Sequence, residues 1–288
     1  MTSHGHTPDV DWAEVVGQLQ RGAEVLRPVS EEVMEWLGVT EGGRVTDIGC
    51  GAGGMTALLA KSVGSTGSVV AVDGEPALLS ATLERCRALG YEDRVATIHH
   101  DLSAGPPSIG RLQDLVWAAH VVHHLPDQLV AIRQLAELLI AGGRLALSEG
   151  GLRTVTLPWD VGTGQPGLEA RLHAAEEAWF VDMRASIRDS RRSPYGWPTL
   201  LRQAGLSDVR TRSFLLDRPS PISPHVAGFV IESLRNRVQR AEDRLPPDDL
   251  AAWQKLLDPD DDVYLGTRDD LFCLAAITVH VGVLPGSA

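Results

Sequence analysis

The sequence predicts an α/β chain built on a doubly wound, mostly parallel sheet. Three observations carry that prediction. Between residues 44 and 150, short apolar runs alternate with helical stretches. The runs are nearly continuous rather than alternating, as in strands covered by helices on both faces. The first run leads into "VTDIGCGAGG", residues 45–54, where four glycines crowd a strand-to-helix turn.

The elements follow in order. Residues 9–37 read as helical, with apolar positions at Val15, Val16, Leu19, Val25, Val29, Val33 and Leu37. Pro28 predicts a division into two helices. "RVTDIG" is a strand ending in glycine, and "GMTALLAKSVG" is a helix stopped by Gly64. "GSVVAVDG" is a strand ending in an acid. "PALLSATLERCRALG" is a helix with Pro76 in its first turn and Gly90 at its stop. "DRVATIHHDL" and "LQDLVWAAH" are strands, "DQLVAIRQLAELLIAGG" a helix and "RLALSEG" a strand.

The pattern then changes. Residues 152–193 hold Pro158, Gly162, Gly164, Pro166 and Gly167 before a long helical stretch, more than a connection needs. The expected organisation is a helical cover over 1–40, a ligand-binding core over 41–150 and a cap insertion over 151–195. Residues 196–288 complete the same α/β domain, with a helical insertion over about 217–269 that breaks at Pro246–Pro247. There is no internal repeat and no low-complexity tract.

Net charge is −12, against the basic surplus of a nucleic-acid binder. No apolar run approaches the roughly 20 residues of a membrane span. The opening "MTSHGHTPDVDW" lacks the basic start and apolar core of a secretory leader. Cys50, Cys86 and Cys273 are odd in number and scattered, which suits a reduced cytoplasm.

The glycine turn supplies a bare backbone and free N–H groups for a nucleoside-containing ligand. A purely structural tight turn is the plainer alternative. Asp73 ends the next strand, where a carboxylate accepts hydrogen bonds from ribose hydroxyls, unless it only caps the following helix. The spacing G-C-G-A-G-G differs from the nicotinamide fingerprint, and Asp47 precedes it. A carboxylate repels a pyrophosphate and suits a ligand with a cationic end. The acid therefore favours S-adenosylmethionine over NAD.

Together "VTDIGCGAGGMT", "VVAVDG", "ATIHHDLS", "LQDLVWAAHVVHHLPD" and "GGRLALSEG" resemble the ordered motifs of class I S-adenosylmethionine-dependent methyltransferases. The resemblance covers roughly residues 30–150 and is weaker over 208–216 and 270–281. It implies a seven-stranded Rossmann-like sheet whose last strand is reversed. It implies that Asp47, Gly49, Cys50 and Gly51 hold the methionine end, Asp73 with Gly74 the ribose, and Asp101 with Leu102 the adenine. The chain is most similar to small-molecule, natural-product members. It lacks the N/D-P-P-Y/F motif of methyltransferases acting on bases or glutamine amides.

"HVVHHLPD" gathers His120, His123 and His124 at the carboxyl end of the fourth strand. A helix starting there would put His120 and His124 on one face. Three readings stand side by side. The histidines pack the turn and line the cofactor pocket, with His120 touching the cofactor. Alternatively one of them, His120 first, takes the acceptor's proton. Or they hold a metal with His99, His100 or Glu149, although nothing in the sequence requires one. Glu149 ends the fifth strand and either orients the acceptor or caps a turn.

Trp159, Trp179, Phe180, Tyr195 and Trp197 wall an acceptor or form the cap's own core. His173 is a further base candidate on a helix face. The run with Arg184, Arg188, Arg191 and Arg192 receives an anion or is a solvated face, and "DPDDD" at 258–262 is a solvated loop.

The expected activity is methyl transfer from S-adenosylmethionine to a small molecule, first of all at oxygen (EC 2.1.1), with S-adenosylhomocysteine released. Nitrogen or carbon acceptors stay open, as does a homodimer. The competing classes are an NAD-dependent oxidoreductase and a non-catalytic scaffold that holds the cofactor.

Overall fold

The computed structural model of the chain describes residues 11–286. Its elements are α1 (Trp12–Leu37), β1 (Arg44–Ile48), α2 (Gly54–Ser62), β2 (Ser68–Asp73), α3 (Pro76–Ala88), β3 (Val95–His99), β4 (Gln113–Ala119) and α4 (Gln128–Ala136). They continue with β5 (Leu139–Val155), α5 (Leu168–Ser186), α6 (Trp197–Gln203), β6 (Ser207–Arg218), α7 (Pro224–Ala241), α8 (Pro247–Leu257) and β7 (Cys273–Val283).

The seven strands form one sheet in the order β3-β2-β1-β4-β5-β7-β6. β1 pairs in parallel with β2 and β4, β2 with β3, and β4 with β5. β7 is reversed. Gly142 and Gly143 bond Leu284, whereas Glu149 O accepts from His280, so numbers rise on β5 as they fall on β7. Thr211–His280 and Ser213–Thr278 show the same opposition between β6 and β7. The strand order reverses beside β1, so the carboxyl ends of β1, β2 and β4 frame the crevice where such sheets take their ligands.

The chain divides into two compact units. Among the described residues the first comprises 11–150, 187–214 and 277–286. Its core includes Ile48, Val116, Ile132, Leu135, Leu147 and Leu201. The second comprises 151–186 and 215–276. There Leu172, Val230, Leu234, Trp253 and Leu265 are fully buried. Arg237 stands between Glu169 and Glu176, at 3.1 and 3.0 Å.

Pro28 does not divide the first helix. α1 runs unbroken with Pro28 inside it. The proline removes one backbone donor. The buried stripe of Val25, Val29, Val33 and Leu37 continues through it and holds the helix in one piece. Asp11 caps the start through Ala13 N and Glu14 N, and Gly38 ends the helix in the left-handed conformation at φ 58°. Arg144 of β5 donates to Leu37 O and Gly38 O, closing the helix end onto the sheet.

Candidate functional site

β1 delivers Asp47 and the chain then turns sharply. Gly49, Gly51 and Gly53 take φ values of 69°, 54° and 77°. A Cβ at Gly49 would stand 2.3 Å from Val121 Cγ2, and one at Gly53 2.8 Å from Thr82 Cα. Side chains are thus excluded by both conformation and space. Gly49 N and Cys50 N donate to Val72 O at 2.8 and 3.0 Å. Gly51 N donates to Asp73 Oδ2 at 3.0 Å, and Thr82 Oγ1 donates to Gly51 O at 2.9 Å. Cys50 is buried, and burial raises its thiol pKa far above the ordinary value. It offers the site backbone, not a nucleophile.

The two acids play different parts. Asp47 is 2% exposed and accepts from Thr56 Oγ1 at 2.6 Å. Burial, with a smaller contribution from the charge of Asp73, pushes its carboxyl up to about 7. It lies beneath the turn and acts through its field more than by open contact. Asp73 is half-buried and accepts from Gly51 N and from Glu75 N, at 3.0 and 3.1 Å. Burial raises its pKa and these hydrogen bonds oppose the rise. Each oxygen keeps lone-pair capacity for a hydroxyl. Gly74 O meets His99 Nε2 at 3.0 Å. Asp101 is exposed and caps a short turn through Ser103 N, and Leu102 packs on the first unit's core.

The histidine segment is no α-helix. Val122–His124 is a single 3₁₀ turn, so His120 and His124 do not stack one helical turn apart. His120 takes φ 55°, and its N–H donates to Ser148 O at 3.0 Å. His123 pairs through Nδ1 with Glu149 Oε2 at 2.6 Å. Glu149 Oε1 accepts from Val121 N and Val122 N at 3.1 and 2.8 Å. The Glu149 side chain is 1% exposed. It therefore faces the histidine turn. The ring of His124 lies 4.1 Å from that of His123. His120 is open to solvent on one side, yet enough protein surrounds it for desolvation to lower its pKa. Glu149 opposes that shift and His123 adds to it. One ligand atom from each of His120, His123 and Glu149 lies within 4.8 Å of the others. His99 and His100 stay apart, bonded to Gly74 O and Gly105 O.

Residues 46–145 match a family model described as a methyltransferase domain. The chain is 30% identical over 204 residues to the methyltransferase GfsG of Streptomyces halstedii, an alignment spanning 71% of this chain and 66% of that protein. It is 30% identical over 138 residues to aklanonic acid methyltransferase DauC of Streptomyces sp. strain C5, spanning 48% of this chain and 62% of that one. The chain thus spans just under two thirds of the length of these two relatives. It carries a methyltransferase domain and is similar to class I S-adenosylmethionine-dependent methyltransferases. The solved structure of YcgJ from Bacillus subtilis shares the fold, with a TM-score of 0.50 and 17% identity over 90% of this chain and 99% of that one.

S-adenosylmethionine is the cofactor of this methyltransferase family. The residues present fit it: bare backbone at Gly51, a diol-accepting carboxylate at Asp73 and a buried carboxylate at Asp47 under a cationic ligand. In the second unit, His173 bonds Thr154 O at 3.0 Å, and burial lowers its pKa. Trp159 is 76% exposed and Trp179 stacks under Arg240. In the first unit Trp197 packs on the core, and Arg191 pairs with Asp127 at 3.7 Å. In the acidic loop, Asp258 and Asp261 accept the N–H groups of Asp260 and Val263.

Sequence reasoning missed Thr56, Thr82 and His280. The signal for Thr56 was present, a hydroxyl just inside the helix that follows the glycines. Thr82 and His280 reach Gly51 O and Glu149 O across 31 and 131 residues, with no local signature.

Proposed function

We propose that this protein transfers the methyl group of S-adenosylmethionine to a hydroxyl oxygen of a small-molecule acceptor. The observation that carries the reading is the contact between the histidine turn and the glycine turn. Val121 sits against Gly49, so His120 follows β4 directly beside the cofactor crevice. When bound, S-adenosylmethionine supplies a methyl carbon on a sulfonium, which the acceptor displaces in line. Asp47 with Gly49, Cys50 and Gly51 serves the methionine end, Asp73 with Gly74 the ribose, and Asp101 with Leu102 the adenine.

His120 has a lowered pKa and is uncharged at neutral pH, ready to take the hydroxyl proton. Glu149 acts as a positioning residue that holds His123 and the turn on which His120 stands. Most of the catalytic gain comes from orientation and exclusion of water. DauC, by its name, acts on aklanonic acid, a small organic molecule, which supports a natural-product acceptor. Among the described residues no helix is long and apolar enough to cross a membrane. Three buried free thiols favour the cytoplasm.

The test is His120→Ala. Turnover at saturation should fall about 10²–10⁴-fold while cofactor affinity stays within about twofold. A variant as fast as the parent removes His120 as the base.

A further inference from the structure

The geometry points to a site for a divalent cation formed by His120, His123 and Glu149. This deepens the proposed function, because the same cluster faces the proposed acceptor; the site itself stands on geometry alone. Three donor atoms from three side chains already lie within 4.8 Å of one another. They come from the turn after β4 and from the adjacent β5, one residue past the last position paired with β4. Two imidazoles and one carboxylate suit borderline ions such as Zn²⁺ or Co²⁺. Magnesium and calcium prefer oxygen donors alone. Three protein ligands also leave a position for a substrate oxygen, as in catalytic zinc sites.

The support behind the ligands is in place. Glu149 Oε1 is fixed by Val121 N and Val122 N, leaving Oε2 directed at His123. Such outer hydrogen bonds orient a metal-bound carboxylate. The His120 backbone is fixed by its bond to Ser148 O and by its left-handed conformation, a strain of the kind that collects at functional sites. Metal–ligand bonds of about 2.1 Å in a tetrahedron put ligand atoms about 3.4 Å apart. The His123–Glu149 pair, at 2.6 Å, must open slightly. His120, being exposed, swings inward by about an ångström or more. The cation takes the place between His123 Nδ1 and Glu149 Oε2, and the neutral ring of His123 carries its proton on Nε2. With the ion bound, the lone pair of His120 is occupied. The ion then lowers the pKa of a coordinated acceptor hydroxyl, whose proton goes to solvent water instead of His120.

The experiment is a Co²⁺ titration followed by visible absorption, on the full chain and on the chain carrying His4→Ala and His6→Ala. The second protein removes chelation by the leading "HGH". Both should take up one equivalent with the intense bands of low-coordinate cobalt. In the second background, His120→Ala and His123→Ala should each weaken uptake about tenfold or more, with cofactor binding retained as proof of folding. A spectrum of aquated cobalt only, or equal affinity after His120→Ala, overturns the site. Methyl transfer is assayed separately. If His120→Ala abolishes transfer while no protein binds cobalt, the base stands and the cation site falls. If cobalt binds as described but no methyl is transferred, the site stands and the proposed activity falls.

Discussion

Replacing Asp47 with asparagine should make the ligand-free protein more stable at alkaline pH, while weakening its hold on the cofactor. The carboxyl is almost wholly buried and pushed up to about 7 from an ordinary 3.8. Below pH 3.8 the group is protonated in both the folded and the unfolded chain, and its charge costs nothing. Between pH 3.8 and about 7 the unfolded chain ionises and the folded one resists, so stability drains as pH rises. Above about 7 the loss levels off. The distance from 3.8 to about 7, at 1.36 kcal/mol per pH unit, is worth about 4 kcal/mol. Asp47→Asn keeps the bond from Thr56 Oγ1, since the amide oxygen still accepts, and removes the charge. Urea unfolding of both proteins without cofactor should show a gap near zero at pH 4 that widens to several kcal/mol by pH 8. The parent's cofactor affinity should rise with pH through 7, because a cationic ligand favours the ionised acid; the variant should lose that rise. A gap that ignores pH, or a variant less stable at pH 8, would refute this account of Asp47.

Asp73→Ala should weaken cofactor binding about tenfold or more by calorimetry, since it removes the acceptor of Gly51 N as well as the proposed ribose contact. An unchanged affinity would cancel that assignment. Gly49→Ala should cost about 1–3 kcal/mol in thermal unfolding, because its Cβ meets Val121 at a backbone conformation that alanine resists. Arg237→Ala should cost about 3–5 kcal/mol, because Glu169 and Glu176 lose the cation between them. Arg237→Lys should recover part of that, and equal losses would argue against a charge effect.

Much of the first unit was legible because its signals are local. β1 carries Asp47 next to its last residue, β2 ends in Asp73, each strand leads into glycine, and Pro76 and Gly90 bracket α3, so sequence spacing and structure coincide there. The role of Glu149 was not legible. Its partners are backbone N–H groups 27 and 28 residues away, whose direction depends on a 3₁₀ turn that residue type does not announce. For the same reason the spacing of the histidines favoured a His120–His124 face, whereas the hydrogen bond to Glu149 forms at His123. Pro28 misled because local propensity yields to a buried stripe several turns long. The joining of 151–186 to 215–276 depends on contacts such as Glu169 with Arg237, which no pattern along the chain encodes.

The order in which the strands are synthesised differs from the order in which they lie. β7 is made last, yet it occupies the gap between β5 and β6. A nascent chain emerging from the ribosome therefore exposes the flank of β5 until residue 280 arrives and His280 reaches Glu149 O. The glycine turn can assemble early, whereas the histidine turn gains its last brace only after β7 has been made.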